Sequence, residues 1–233
     1  MNYSLKSLNS HGHLLTTEFL ENQISQLPDI SVFAFDIGNV LLKLNYDSVL
    51  EKLLRNSSEV DCNQFVQGLI EIMEKTGLER GLTSFDPFFR TLQMKFPFLK
   101  SLNQFKTFWN SIFIPDMLML DFAENISRNH RCCIVSDTNE EHFSFLSSNF
   151  QIFNHMGNHF LSYDFQCVKE DQSFFHKVSE KLETANSAIL VIDDKLCNIH
   201  SALAAGCNAI HHNPDNSGLT IELVNYILEH QRK

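Results

Sequence analysis

Short apolar runs recur at Val32–Phe35, Arg131–Ser136, His159–Ser162, Ala188–Ile192 and Cys207–His211, and most are followed by stretches with helical spacing. Runs of this length bounded by polar residues predict strands, and their alternation with helices predicts an α/β fold around a largely parallel, Rossmann-like sheet. Between the first two strands the period changes: roughly 95 residues carry apolar stripes at helical spacing. The stripes are Leu50, Leu53 and Leu54; Phe65, Leu69, Ile70 and Met73; Phe85, Phe88, Phe89 and Leu92; and Phe105, Phe108, Trp109 and Ile112. They predict a small helical bundle inserted after strand one, its aromatic faces serving as core rather than as a ligand box. The expected organisation is an N-terminal extension over 1–30, a core from 31–44 and 116–233, and the inserted bundle over 45–115, hinged near Lys43–Asp47 and Ile114–Asp116. Within the extension Leu14, Leu15, Phe19, Leu20 and Ile24 form a weak helical pattern that ends at Pro28.

Composition narrows the function classes. The chain has 233 residues, 43% hydrophobic and 20% charged, which suits a soluble globular protein with a sizeable core; its 21 Phe against one Trp make phenylalanine the main packing residue. A net charge of −10 with scattered Lys and Arg gives no basic stripe for tracking nucleic acid, yet leaves room for a local positive site that takes a small anion. The six cysteines contain no C-x-x-C pair and read as reduced core residues. No apolar run approaches the roughly 18 residues of a membrane span, and the N-terminus lacks the apolar segment of a secretory signal, so neither a membrane nor export is expected and the cytoplasm is the default.

Candidate chemistry gathers at the strand ends. Asp36 follows the first apolar strand, where open parallel sheets present ligand-facing residues, and Gly38 permits close backbone approach. Taken alone, Asp36 reads equally as a helix cap and Gly38-Asn39 as a turn. Ile134-Val135-Ser136-Asp137-Thr138-Asn139 ends the second strand in small polar residues, which either bind phosphate oxygens or cap the following helix. Lys169 precedes the stripe Phe174, Phe175, Val178 and Leu182; it is either solvated or a charge that reconciles a carboxylate with a phosphate. Asp193 and Asp194 close the strand Ala188–Ile192, with Asn198 beyond them. Adjacent acids at one strand end are costly without a cation, and with Asp36 they make a hard oxygen site suited to Mg²⁺.

In this order the residues resemble the haloacid dehalogenase superfamily over 31–212, with Asp36 matching the nucleophile, Ser136 the motif II hydroxyl, Lys169 the motif III lysine, and Asp193, Asp194 and Asn198 the acidic motif IV. Asp36-Ile37-Gly38-Asn39-Val40 and Ser136-Asp137-Thr138-Asn139 further resemble a branch that includes glucose 1-phosphate phosphatases, and Glu79-Arg80-Gly81 with Phe85 and Phe105-x-x-x-Trp109 look like that branch's helical cap. The resemblance implies an Mg²⁺-dependent phosphatase in which Asp36 forms an aspartyl-phosphate. It implies Asp36, the Gly38 carbonyl and Asp194 as metal ligands, with Asp193 and Asn198 supporting directly or through water. Gly38, Asn39, Asp137, Thr138 and, from the cap, Arg80 are the expected phosphate and substrate contacts, with Glu79 and Trp109 as further cap contacts and the substrate a small phosphorylated metabolite.

The chain departs from the family pattern in three places. Gly38 stands where most phosphatases of the superfamily carry an acid/base Asp, help commonly worth about 10²–10⁴-fold. Asp137 replaces an Asn, adding negative charge, and Lys169-Glu170-Asp171 replaces Lys-Pro-Glu, leaving the lysine's backbone less constrained. Two rival readings remain: a carbon–halogen hydrolase, disfavoured by the Asp193-Asp194 pair, and a binding or regulatory protein with little turnover. A zinc site at His211-His212 or His11-x-His13 lacks partners at usable spacing, so loop histidines are the expectation; Asp47 is noted near the hinge.

Overall fold

Alternate residues of β1 (Val32–Phe35) face opposite layers: Val32 and Ala34 join one apolar cluster, Phe33 and Phe35 the other. This period of two is what a strand covered on both faces requires. The computed structural model describes residues 12–22, 28–55 and 61–231. A short helix, α1 (Thr17–Asn22), precedes β1. After β1 come β2 (Leu42–Leu44) and four helices, α2 (Tyr46–Leu54), α3 (Cys62–Thr76), α4 (Phe85–Lys95) and α5 (Leu102–Asn110), before β3 (Phe113–Pro115). The chain continues through α6 (Met117–Ser127), β4 (Arg131–Ser136), α7 (Glu140–Asn149), α8 (Ile152–His155), β5 (His159–Leu161), α9 (Ser162–Phe165) and α10 (Ser173–Leu182). It closes with β6 (Ile189–Asp193), α11 (Leu196–Ala204), β7 (Asn208–His211) and α12 (Ser217–Gln231).

The main sheet is parallel, in the order β5-β4-β1-β6-β7. Helices cover both faces. Met119, Ala123 and Ile126 of α6 and Leu223, Val224 and Ile227 of α12 bury Phe33 and Phe35, while Phe174, Phe175 and Val178 of α10 and Ile199 and Ala202 of α11 bury Val32 and Ala34. The inserted helices keep a core of their own, rich in phenylalanine as expected: Phe65, Phe85, Phe88, Phe89, Phe96 and Phe105 share it with Trp109, which packs on Phe85, Phe88 and Phe105.

The two stretches expected as hinges are partly β structure. β2 and β3 pair antiparallel, Leu42 with Pro115 and Leu44 with Phe113, so the chain leaves and re-enters the core through one two-stranded ribbon. Strands of three residues, one ending in proline, carry too few positions for a period to register. The N-terminal extension also differs from a separate appendage. Leu14 bridges to Ala209, Leu15 N–H donates to the Ala209 carbonyl at 2.8 Å, and Leu15 and Leu20 are buried in the sheet's core. Its backbone thus covers the β7 edge, a place where unpaired strands invite association. Ile24 and His11 lie outside the described residues.

Candidate active site

Three neighbouring strands deliver two acids and a hydroxyl to the carboxyl end of the sheet. Asp36 directly follows β1, Ser136 ends β4 and Asp193 ends β6; the Asp36 N–H donates to the Ile192 carbonyl at 3.0 Å, which sets Asp36 beside the end of β6. Lys169, only 1% exposed, places its Nζ 2.8 Å from Asp36 Oδ1 and 2.5 Å from Asp193 Oδ2. The solvated alternative for this lysine is therefore excluded by its position. Burial alone would lower its pKa, but Asp36, Asp193 and Asp137 together outweigh that and hold it above the usual lysine range. Burial acts oppositely on Asp36, raising it to about 7 against the pull of Lys169.

Asp193 and Asp194, adjacent in sequence, have different surroundings. Asp193 is saturated with donors: besides Lys169, Oδ1 accepts from the Lys195 N–H at 2.8 Å and both oxygens accept from Asn198 Nδ2 at 3.1 Å. Asn198 thus supports Asp193. Asp194 Oδ2 accepts from Asn39 Nδ2 at 2.9 Å, while its Oδ1 is buried without a hydrogen-bond partner. Asn39 holds a left-handed φ of 55°, which asparagine tolerates better than most residues, and its Oδ1 accepts from the Leu44 N–H. That conformation ties the loop after β1 to Asp194. His211 Nε2 lies 2.9 Å from the Asp194 carbonyl oxygen and holds the same residue from β7.

Carboxylate oxygens of Asp36, Asp193 and Asp194 all lie within 4.8 Å of one another, and among the described residues no other group of His, Cys, Asp or Glu is so arranged. An all-oxygen donor set with an orphaned buried oxygen on Asp194 fits a hard divalent cation such as Mg²⁺. Of the histidines expected on exposed loops, His211 is exposed but ends β7, and His212 is buried, with Nδ1 2.9 Å from Thr220 Oγ1.

The motif II residues divide their work. The Ser136 hydroxyl is buried at the end of β4. The Thr138 N–H and carbonyl are both bonded to the Ser162 hydroxyl, at 2.9 and 3.1 Å, and Asn139 caps α7 through the His142 N–H. Asp137 turns its Oδ1 to the Lys169 N–H at 2.9 Å, so this carboxylate secures the lysine loop that lacks its proline. Burial, more than compensating for Lys169, raises the Asp137 pKa. Asp137→Asn, which keeps an acceptor, is expected to stay near wild type in phosphate release. Asp137→Ala, which orphans a backbone N–H at a cost of about 1–3 kcal/mol, should lose about 10–10²-fold. Steady-state kinetics on the two variants checks this.

From the inserted bundle, Glu79 lies in the 3₁₀ turn Leu78–Arg80 and is half-buried. Burial raises its pKa, Asp137 raises it further, and Lys195 and Lys169 pull the other way. Arg80 is exposed, and its charge acts on Asp171 of the lysine loop. Trp109 is buried within the bundle's aromatic cluster and stacks on His142 of α7, centroids 4.8 Å apart. Asp47 is exposed beside the hinge. Two exposed residues that the spacing did not single out lie within electrostatic reach of the site. Tyr46 opens α2 within the fields of Lys195, Glu79, Asp194 and Asp36, and Lys195 within those of Asp36, Asp137 and Glu79. A single tyrosine at a helix start and a lysine beside two acids carry no period or motif that marks them.

His142 fixes the bundle to the core. Its Nε2 donates to the Trp109 carbonyl at 3.0 Å and its Nδ1 faces Asn139 Nδ2 at 3.3 Å, an arrangement that serves the neutral ring. Burial lowers its pKa from 6.5 to about 4. The folded protein therefore binds fewer protons than the unfolded chain below pH 6.5, and stability present above that pH is lost as pH falls toward about 4. The expected loss is about 3 kcal/mol, read as a falling urea midpoint, with a flatter slope in His142→Asn.

No protein-family model and no curated protein matches the sequence. Solved structures do. A haloacid dehalogenase (HAD) family enzyme from Bacteroides thetaiotaomicron superposes with a TM-score of 0.70 at 20% identity, over 77% of this chain and 92% of that one. The same enzyme in complex with magnesium and inorganic phosphate gives 0.65 at 21% identity, over 77% and 92%. A predicted HAD-like hydrolase from Porphyromonas gingivalis gives 0.70 at 20%, over 86% and 98%. The L-2-haloacid dehalogenase of Xanthobacter autotrophicus, with chloropropionic acid covalently bound, gives 0.57 at 13%, over 77% and 76%. The chain therefore has the HAD-like fold, a parallel-sheet α/β core with a helical cap. Among the described residues no helix is long and apolar enough to cross a membrane.

Proposed function

We propose that this protein is an Mg²⁺-dependent phosphomonoesterase acting on a small phosphorylated metabolite, with sugar phosphates the first class to test, through an aspartyl-phosphate on Asp36. The observation that carries the reading is Lys169, buried between Asp36 and Asp193 beside the unpartnered oxygen of Asp194. A carboxylate attacking a phosphate ester faces its own charge, and a site must cancel that repulsion before the bond forms. Lys169 does so from one side. Asp36, Asp194 and the Gly38 carbonyl would hold Mg²⁺, which when bound supplies the remaining positive charge.

In the first half-reaction an Asp36 oxygen attacks phosphorus and the bond to the leaving oxygen breaks; in the second, water attacks phosphorus and frees the carboxylate. The Ser136 hydroxyl takes a phosphate oxygen, Asn39 and His211 keep Asp194 aimed, and Asn198 and Lys169 hold Asp193. Asp137 acts by setting Lys169, and the cap selects the leaving group. Nucleic acid and membranes are not partners in this reading of an acidic chain without a basic stripe.

The fold also houses a dehalogenase. A carbon–halogen hydrolase needs no cation, and in one the three carboxylates within 4.8 Å would have only Lys169 between them, with Asp194 Oδ1 buried and unpartnered. The test is phosphate release from sugar phosphates, nucleotides and an aryl phosphate, with Mg²⁺ or with chelator. Metal-dependent release supports the phosphatase; bound Mg²⁺ with no release from any ester favours the binding-protein reading.

A further inference from the structure

The phosphatase reading leaves the leaving group without an acid, because Gly38 has no side chain. The space there is taken: a Cβ on Gly38 would lie 2.9 Å from Leu44 Cδ1, a residue held in the β2–β3 ribbon. An acid must come from elsewhere, and one turn of the cap is built to approach the core closely. Gly77 and Gly81, both with left-handed φ near 63°, bracket Leu78–Arg80 and fold it tightly. A Cβ on Gly81 would lie 2.2 Å from the Tyr163 carbonyl oxygen, so the turn's backbone is pressed onto α9 as no other residue type would allow. The turn therefore rests on α9, whose Ser162 hydroxyl bonds the Thr138 backbone of motif II. Glu79, half-buried in the turn, lies within the fields of Asp137 on the loop after β4, Lys169 on its loop and Lys195 after β6, with Tyr46 of α2 in turn within the field of Glu79.

Resting on the phosphatase reading, we propose that Glu79 is the general acid and base of the reaction, supplied by the cap in place of the residue missing at Gly38. As Asp36 attacks phosphorus and the ester bond breaks, the Glu79 carboxyl gives its proton to the leaving oxygen, releasing an alcohol. The resulting carboxylate takes a proton from the water that attacks the aspartyl-phosphate, so Asp36 is freed, inorganic phosphate departs and Glu79 is reset. Its surroundings keep the proton available: Glu79 is half-buried and within the field of Asp137, both of which favour the neutral form. Tyr46 stands in the same field, but partial burial pushes its phenol above the ordinary tyrosine range, which makes it a poor group to give up and recover a proton near neutrality.

The experiment compares an alkyl phosphate, whose leaving group needs a proton, with a nitrophenyl phosphate, whose leaving group does not. Glu79→Gln is expected to lower kcat/KM, which reports the first half-reaction alone, by about 10²–10³-fold on the alkyl ester and by less than about tenfold on the aryl ester, which also shows that the variant is folded. In the wild type, kcat/KM on the alkyl ester should fall as pH rises above the ordinary carboxylate range, and Glu79→Gln should lose that limb. Equal losses on both esters, no loss, or a leaving-group effect confined to Tyr46→Phe would each overturn the assignment. If wild type releases no phosphate from either ester with Mg²⁺, the phosphatase reading itself fails and takes Glu79's role with it.

Discussion

Asp36→Asn is expected to abolish Mg²⁺-dependent phosphate release, by at least about 10³-fold, while leaving the fold intact. The amide matches the carboxylate in shape but cannot form the acyl-phosphate, and it withdraws one charge from the metal site. Its effect on stability should run the other way. In the metal-free protein, burial raises Asp36 from 3.8 to about 7, so the folded state binds the extra proton, and its contribution is full below pH 3.8 and lost as pH rises through about 7. An asparagine has no such charge to desolvate. Metal-free Asp36→Asn should therefore unfold at a urea concentration equal to or above wild type at pH 8, and lack the loss of stability between pH 4 and 7. Loss of activity combined with loss of fold would show that Asp36 is structural instead.

Lys169→Met should be damaging in both respects. The ammonium is buried and touches two carboxylates, so methionine leaves Asp36 and Asp193 facing each other without a cation. Removing one partner from a buried charge cluster costs about 3–5 kcal/mol. Urea unfolding of the metal-free variant should show this loss, and Mg²⁺ should recover part of it by replacing the missing charge. Turnover should fall by about 10²–10³-fold even at saturating Mg²⁺, because the positive charge on that side of the phosphate is gone. A metal-free variant as stable as wild type would mean that Lys169 does not hold the two acids.

Much of this site was legible because open parallel sheets place chemistry at strand ends, and strands buried on both faces stand out in a sequence. Asp36, Ser136 and the Asp193-Asp194 pair each follow such a strand, so one principle located all four. What stayed hidden depends on tertiary contact. Asp137 reads as an unwanted charge until its oxygen is seen on the Lys169 N–H, and it compensates for an absent proline that the sequence does show. The difference between the saturated Asp193 and the half-free Asp194 comes from Asn39, Asn198 and His211, which lie on separate segments. Trp109 sits where an aromatic stripe predicts, in the bundle core, but its stacking on His142 joins two elements distant in sequence. Arg80 shows the converse. It adjoins Glu79 in sequence, yet the 3₁₀ turn half-buries one and exposes the other.

The central claim, covalent catalysis by Asp36, is tested most directly by acid-quenching the Mg²⁺-loaded protein during turnover of an ester it hydrolyses and mapping the peptides by mass spectrometry. One phosphoryl group on the peptide that contains Asp36, absent with chelator, is the predicted result. Sustained phosphate release with that peptide unmodified, or with the group on another residue, would contradict the account.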